Sequence, residues 1–223
     1  MKSIDYSFLS HTMLFQGTSE DEVKEMLSCL SAKIQTFQKN ETIYHVGACV
    51  SALGIVLNGS VSLENDDIWG NKHLIDTIRP GQVFAETYAT VPKEPLLVNV
   101  IALEPSTVLF LQVEKLLTTC TNACTHHQKL IQNLLFVSAQ KNLKLSHKIF
   151  HTAPKTIRGK LLSYLSYQSI CANSYEFEIP YSRQQLADYL GVDRSALSAE
   201  LSKMQKEGLL TFHKNSFHIL NES

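Results

Sequence analysis

Three side chains late in the chain have the chemistry to read a nucleic-acid base. Arg194 carries a planar fork that can donate two hydrogen bonds to a guanine edge, and Ser195 and Ser198 carry hydroxyls that can meet a base or a phosphate. Ser182, Arg183, Gln184, Asp193 and Lys203 belong to the same candidate surface, with Arg183, Gln184 and Lys203 suited to holding a phosphate backbone.

Such groups specify a sequence only when a rigid element carries them into a groove. Residues 180–210, PYSRQQLADYLGVDRSALSAELSKMQKEGLL, supply one. Ser182 can cap a first helix bearing Leu186, Ala187 and Leu190, and Gly191 can take the positive φ that ends it. Asp193 can cap a second helix bearing Leu197, Leu201 and Met204. The result is two helices joined by a three-residue turn, with Ala187 small at the crossing and Val192 at the corner. The trailing GLLTFHKNSFHIL reads as a wing hairpin around His213-Lys214-Asn215. From Lys155 to Ser223 there are eight Lys or Arg and seven Asp or Glu, so binding must come from the placement of cations and should be salt-dependent.

A second set of residues offers different chemistry. Cys120, Cys124 and His127 in CTNACTHH fall three and four apart, on one face of a helix, where they can converge on a metal such as zinc or respond to oxidation. Two cysteines at this spacing and no fourth ligand read more simply as inert thiols, so no metal is assigned.

These segments need elements to position them. Residues 19–31 open with Ser19 and Glu22 at capping-box spacing and place Val23, Met26, Leu27 and Leu30 on one face of a short helix. From about 33 to 113, short β-type runs alternate with turn signals such as Asn58-Gly59 and Pro80-Gly81, the texture of a small roll. From 127 to 149, Leu130, Leu134, Val137, Lys141 and Leu145 recur three and four apart, which assigns a dimer seam, the alternative being a helix lying on its own domain. Pro154 breaks the pattern and a helix restarts over 155–170. The expected fold is α+β: a β-roll sensor domain over 1–125, a dimerisation helix over 126–152 and a winged helix-turn-helix over 153–223.

Composition narrows the class. With 44% apolar residues and no stretch near the roughly 18 uncharged apolar residues that span a bilayer, a soluble, cytoplasmic protein with no membrane contact is expected. Five cysteines at irregular spacing do not make a disulfide framework. A net charge of −1 removes any polycation signature.

The order of β-type domain, long helix and C-terminal reader resembles the cyclic-AMP receptor / fumarate-nitrate regulator (Crp/Fnr) family over essentially the full length. LADYLGVDRSALSAEL (186–201) and RPGQVFAE (79–86) carry the resemblance. It implies a double-stranded, cyclic-nucleotide-binding-like jelly roll and a homodimer on a two-fold symmetric double-stranded DNA site. It also implies a small-molecule or redox signal, and RNA polymerase as a partner. It places the effector pocket at Phe84, Ala85, Glu86, Thr87, Leu96 and Leu97. Nucleotide-binding members have an Arg-Ser pair where this chain has Leu96 and Leu97, and leucine cannot pair with a phosphate, so cyclic AMP is disfavoured and the effector is left unassigned. An apolar ligand fits that loop, and so does a pocket filled by its own leucines. Only Cys29 lies where iron–sulfur members cluster cysteines, so no such cofactor is expected. Ala199 stands where many relatives have an arginine, so the operator is expected to differ at that base or to rely more on Arg194. Some relatives hold haem, and His45, His73, His126 and His127 are conceivable ligands that no spacing selects.

Two rival classes remain. A cupin-type metal enzyme would need a His-x-His pair with a carboxylate and a later histidine, but the β-rich stretch has only His45 and His73. The expectation is therefore not an enzyme. An effector-independent DNA-binding dimer is the other alternative.

Overall fold

The computed structural model describes residues 4–66, 72–117 and 125–220. By contact the chain divides into two compact units, Met1–Gln140 and Lys141–Ser223.

In the N-terminal unit, Asp5 starts α1 (Tyr6–Ser10) by accepting from the Phe8 amide. A capping box between Ser19 and Glu22 starts α2 (Glu20–Cys29), as the spacing predicts. The strands β1 (Lys33–Phe37), β2 (Thr42–Tyr44), β3 (Ala52–Asn58), β4 (Val61–Asp66), β5 (Lys72–Ile78) and β6 (Val83–Phe84) follow. After α3 (Glu86–Thr90) come β7 (Asn99–Ala102), β8 (Ser106–Gln112) and α4 (Val113–Leu117). They make two antiparallel four-stranded sheets, β1-β8-β3-β6 and β2-β7-β4-β5, the expected roll.

β3 and β8 read as unbroken apolar runs because both of their faces are covered. Ala52, Val56, Val108 and Phe110 face the core between the sheets, whereas Leu53, Ile55, Leu109 and Leu111 face a second core made with the helices. The inter-sheet core is rich in aromatic rings. Phe110 meets Phe37, Tyr44 and Phe84 edge-on at centroid distances of 6.2, 5.8 and 6.4 Å. The Phe84 ring lies directly on the Gly54 backbone: a Cβ built at Gly54 would come within 2.2 Å of it.

Helix α5 (Thr125–Thr152) corrects the expected seam. Leu130, Leu134 and Val137 are buried in the N-terminal unit's own helix–sheet core, beside Leu14, Phe15 and Met26. Asn133 Nδ2 adds hydrogen bonds to the Leu14 and Gln16 carbonyls at 2.9 and 3.0 Å. Those three leucine and valine side chains are therefore not available to a second chain. Covering the helix–sheet core in this way removes apolar area from water without a partner. Of the remaining seam residues, Lys141 is half-buried and Leu145 is 63% exposed. The apolar stripe left uncovered is a neighbouring one. Ile131, Leu135, Ser138, Asn142, Leu145 and Ile149 recur at spacings of four and three, with Leu135 69% and Ile149 66% exposed.

In the C-terminal unit, Pro154 ends α5 and the Thr156 hydroxyl accepts from the Gly159 amide to start α6 (Ile157–Ala172). β9 (Glu176–Glu178), α7 (Arg183–Leu190), α8 (Arg194–Lys206), β10 (Leu210–His213) and β11 (Ser216–Ile219) complete it. The wing is a three-stranded sheet in the order β10-β11-β9, not a simple hairpin. The third strand, Glu-Phe-Glu, is too short to show a period in the sequence; it is held because Phe177 stacks on Phe217.

Candidate nucleic-acid interface

The two helices of the reader are built by caps that lie in the sequence itself. Ser182 Oγ accepts from the Gln185 amide and Gln185 Oε1 accepts from the Ser182 amide at 2.8 Å, a full capping box that starts α7. Gly191 ends it at φ 61°, in the left-handed region that favours glycine. Asp193 starts α8 by accepting from the Ala196 amide at 2.8 Å and from the Ser195 hydroxyl. Those bonds, the hydroxyl first, hold the Asp193 carboxyl below the usual carboxylate range.

Leu186, Ala187, Leu190, Leu197, Leu201 and Met204 are fully buried and close the angle between the helices, with Val192 packed at the corner. The opposite face of α8 is open. Arg194, Ser195 and Lys203 are exposed and Ser198 is half-exposed, its hydroxyl donating back to the Arg194 carbonyl at 3.0 Å. Gln184 is also exposed and donates to Asp188 at 2.8 Å.

Arg183 takes a place that the sequence did not indicate. Its guanidinium lies over the rings of Phe212 and Phe217, 5.0 and 5.5 Å from their centroids, and Nη2 donates to the Lys214 carbonyl at 3.0 Å. Burial lowers its pKa from the guanidinium's ordinary value. Two ring faces and a carbonyl offset that loss of water, so Arg183 braces the wing against α7.

Arg158 was missed entirely in the sequence. From the first turn of α6 it reaches both Glu200 on α8 and Glu207 at that helix's C-cap. Lys160 Nζ donates to the Leu190 carbonyl at 3.0 Å, capping the C-terminal end of α7. Both contacts join residues more than 25 positions apart, and no local pattern announces them.

The residues expected to line an effector pocket differ in exposure. Phe84, Glu86 and Leu96 are buried, Ala85 is half-buried in a left-handed conformation at φ 59°, and Thr87 is exposed. Leu97 is 62% exposed. The Leu96 amide and carbonyl are both bonded to the 47–48 turn, and the chain bends at 97–98, leaving Leu97 outside that contact.

Cys120 and Cys124 lie outside the described residues. His127 is buried at the start of α5, with neither ring nitrogen hydrogen-bonded among the described residues. Among those residues no group of three or more His, Cys, Asp or Glu is placed to hold a metal, and no helix is long and apolar enough to cross a membrane.

Comparison with known proteins agrees with this geometry. Residues 34–122 match the cyclic nucleotide-binding domain and residues 159–223 match the Crp-like helix-turn-helix domain. The chain is 20% identical to the global nitrogen regulator of Nostoc sp. over 192 residues, covering 83% of this chain and 84% of the relative. The catabolite activator protein of Thermus thermophilus shares the fold with a TM-score of 0.52, at 19% identity and 93% coverage of each chain. The c-di-GMP responsive global regulator CLP of Xanthomonas campestris does so with a TM-score of 0.54, at 15% identity over 91% of this chain and 100% of CLP. The chain belongs to the Crp/Fnr family of transcription regulators, and its function is sequence-specific DNA binding.

Proposed function

We propose that the chain acts in the cytoplasm as a homodimer on a two-fold symmetric DNA site, with the two copies of α8 in successive major grooves about one helical turn apart. One observation carries this reading: Arg194, Ser195 and Ser198 stand together on the open face of a helix whose other face is fully buried. Arg194 reads a guanine, the two serines read or position, and Gln184 and Lys203 hold phosphates. Arg183, Ser182 and Asp193 act through structure, fixing the wing and the starts of the two helices.

The dimer forms along the uncovered stripe of α5, from Ile131 through Leu135, Ser138, Asn142 and Leu145 to Ile149. That four-three spacing is the repeat of a two-stranded coiled coil, and a single asparagine within it is a device that fixes register. RNA polymerase is the protein partner that the family implies.

The signal is a small molecule or redox change other than cyclic AMP, since Leu96 offers a phosphate no charge. A second reading, a dimer that needs no effector, is favoured by the Phe84 ring seated on Gly54 inside the roll. A thermal-shift screen of the full chain separates them: a stabilising compound supports gating. Selection of binding sites from random duplex DNA tests the main reading. A palindrome is expected from the wild type and none from Arg194→Ala.

A further inference from the structure

The last turns of α5 carry two imidazoles, His147 and His151, that the DNA-reading face does not use. His151 is 3% exposed and its Nδ1 shares a hydrogen bond of 2.9 Å with the Tyr189 hydroxyl on α7. Its ring meets Tyr164 edge-on with centroids 5.4 Å apart, and Tyr167 and Tyr189 at 5.2 and 5.9 Å. His147 stacks beside it at 6.4 Å. Tyr181 backs the cage, 6.1 Å from Tyr164 and 5.2 Å from Tyr189.

The titratable groups facing His151 are therefore His147 from α5, Tyr164 and Tyr167 from α6 and Tyr189 from α7, with Tyr181 behind them. Cys171 bonds to Tyr167 and holds that phenol's pKa up; burial pushes Tyr189 up to about 12 and raises Tyr164 as well. The raised phenols Tyr164, Tyr167 and Tyr189 carry no charge at pH 7, so a proton added to His151 would find no anion among them. Burial, and then the neighbouring His147, lowers the His151 pKa from 6.5.

We propose that His151 and Tyr189 form a proton-operated latch between the end of α5 and the first helix of the reader, closed when the imidazole is neutral. A neutral imidazole needs one donor and one acceptor, and Tyr189 serves on one side. Taking a proton from water makes both ring nitrogens donors, so the second N–H requires a new acceptor. The Tyr164 hydroxyl is buried on α6 with no hydrogen-bond partner among the described residues. A proton on Nδ1 also removes the acceptor to which the Tyr189 hydroxyl can donate, so the pair must reorganise and the hold on α7, the helix on which α8 is seated, loosens.

The test follows His151 by NMR in the full chain with labelled histidine, alongside the α7 amides, from pH 8 to pH 5. DNA affinity is measured over the same series for the wild type, His151→Phe and Tyr189→Phe. The latch predicts a His151 midpoint below 6.5, with the amides of Tyr189 and Leu190 moving at that same midpoint. It also predicts wild-type affinity falling, relative to His151→Phe, by roughly tenfold one pH unit below the midpoint. Tyr189→Phe keeps the ring and should abolish the response, which decides the matter if His151→Phe does not fold. A His151 titration that leaves the α7 amides unmoved, or an unchanged pH response in the variants, would overturn the latch. Absence of DNA binding at every pH would instead count against the DNA-reading face, and the NMR titration would still decide the latch.

Discussion

Arg158 Nε donates to Glu200 Oε1 at 2.6 Å, tying the first turn of α6 to the middle of the recognition helix. The same guanidinium reaches Glu207, so one side chain holds α8 at two points along its length. Arg158→Ala should lower the melting temperature of the reader unit and weaken DNA binding without changing which base is preferred. The bond also holds the Glu207 carboxyl below its usual range. A carboxylate depressed in the fold contributes stability that is present above its unfolded pKa and lost as pH falls through the folded value. Acid titration of wild type and variant should therefore begin to converge below about pH 4.3.

Arg183 should behave as a brace and not as a reader. Arg183→Ala is expected to weaken binding to all sequences alike, with the selected site unchanged. Arg183→Lys should not restore it, because an ammonium lacks the planar fork that lies over Phe212 and Phe217. Affinity measured on the selected site and on a scrambled duplex separates these outcomes: a change in preference would place Arg183 at a base.

The two stripes of α5 give opposite phenotypes. Leu134→Ala removes a side chain buried in the N-terminal core and should cost that unit about 2–5 kcal/mol, read in thermal unfolding. Leu135→Glu, one position on, should leave unfolding nearly unchanged while shifting the molecular mass in sedimentation from dimer to monomer. A dimer that survives Leu135→Glu would move the interface elsewhere.

Gly54→Ala should destabilise the roll by about 1–3 kcal/mol, since its Cβ would collide with the Phe84 ring. Phe84→Leu in the same chain should recover part of that loss. A double mutant no better than the sum of the single changes would show that the ring has room to move.

The reader was legible because its determinants are local. Ser182, Gln185, Gly191 and Asp193 sit within a dozen positions, and each performs the cap its residue type implies. The seam was not legible for a physical reason. Leu130–Leu134–Val137 and Ile131–Leu135 both satisfy the helical period, and only the position of the roll decides which stripe is buried at home. Arg183 and Arg158 were likewise opaque: an exposed arginine and a bracing one have the same sequence, and the difference lies in Phe212, Phe217, Glu200 and Glu207. Leu97 was placed in a pocket by resemblance, but it lies exposed where the chain bends at 97–98.

Whether α8 reads DNA with Arg194 is decided by substituting single guanines of the selected site with 7-deazaguanine. Removing one N7 deletes a single acceptor and leaves the base pair intact. One guanine in each half-site is expected to cost the wild type about tenfold in affinity when so altered, and to cost Arg194→Ala nothing further. If no guanine position distinguishes the two proteins, Arg194 does not read a base and the reader's specificity lies elsewhere.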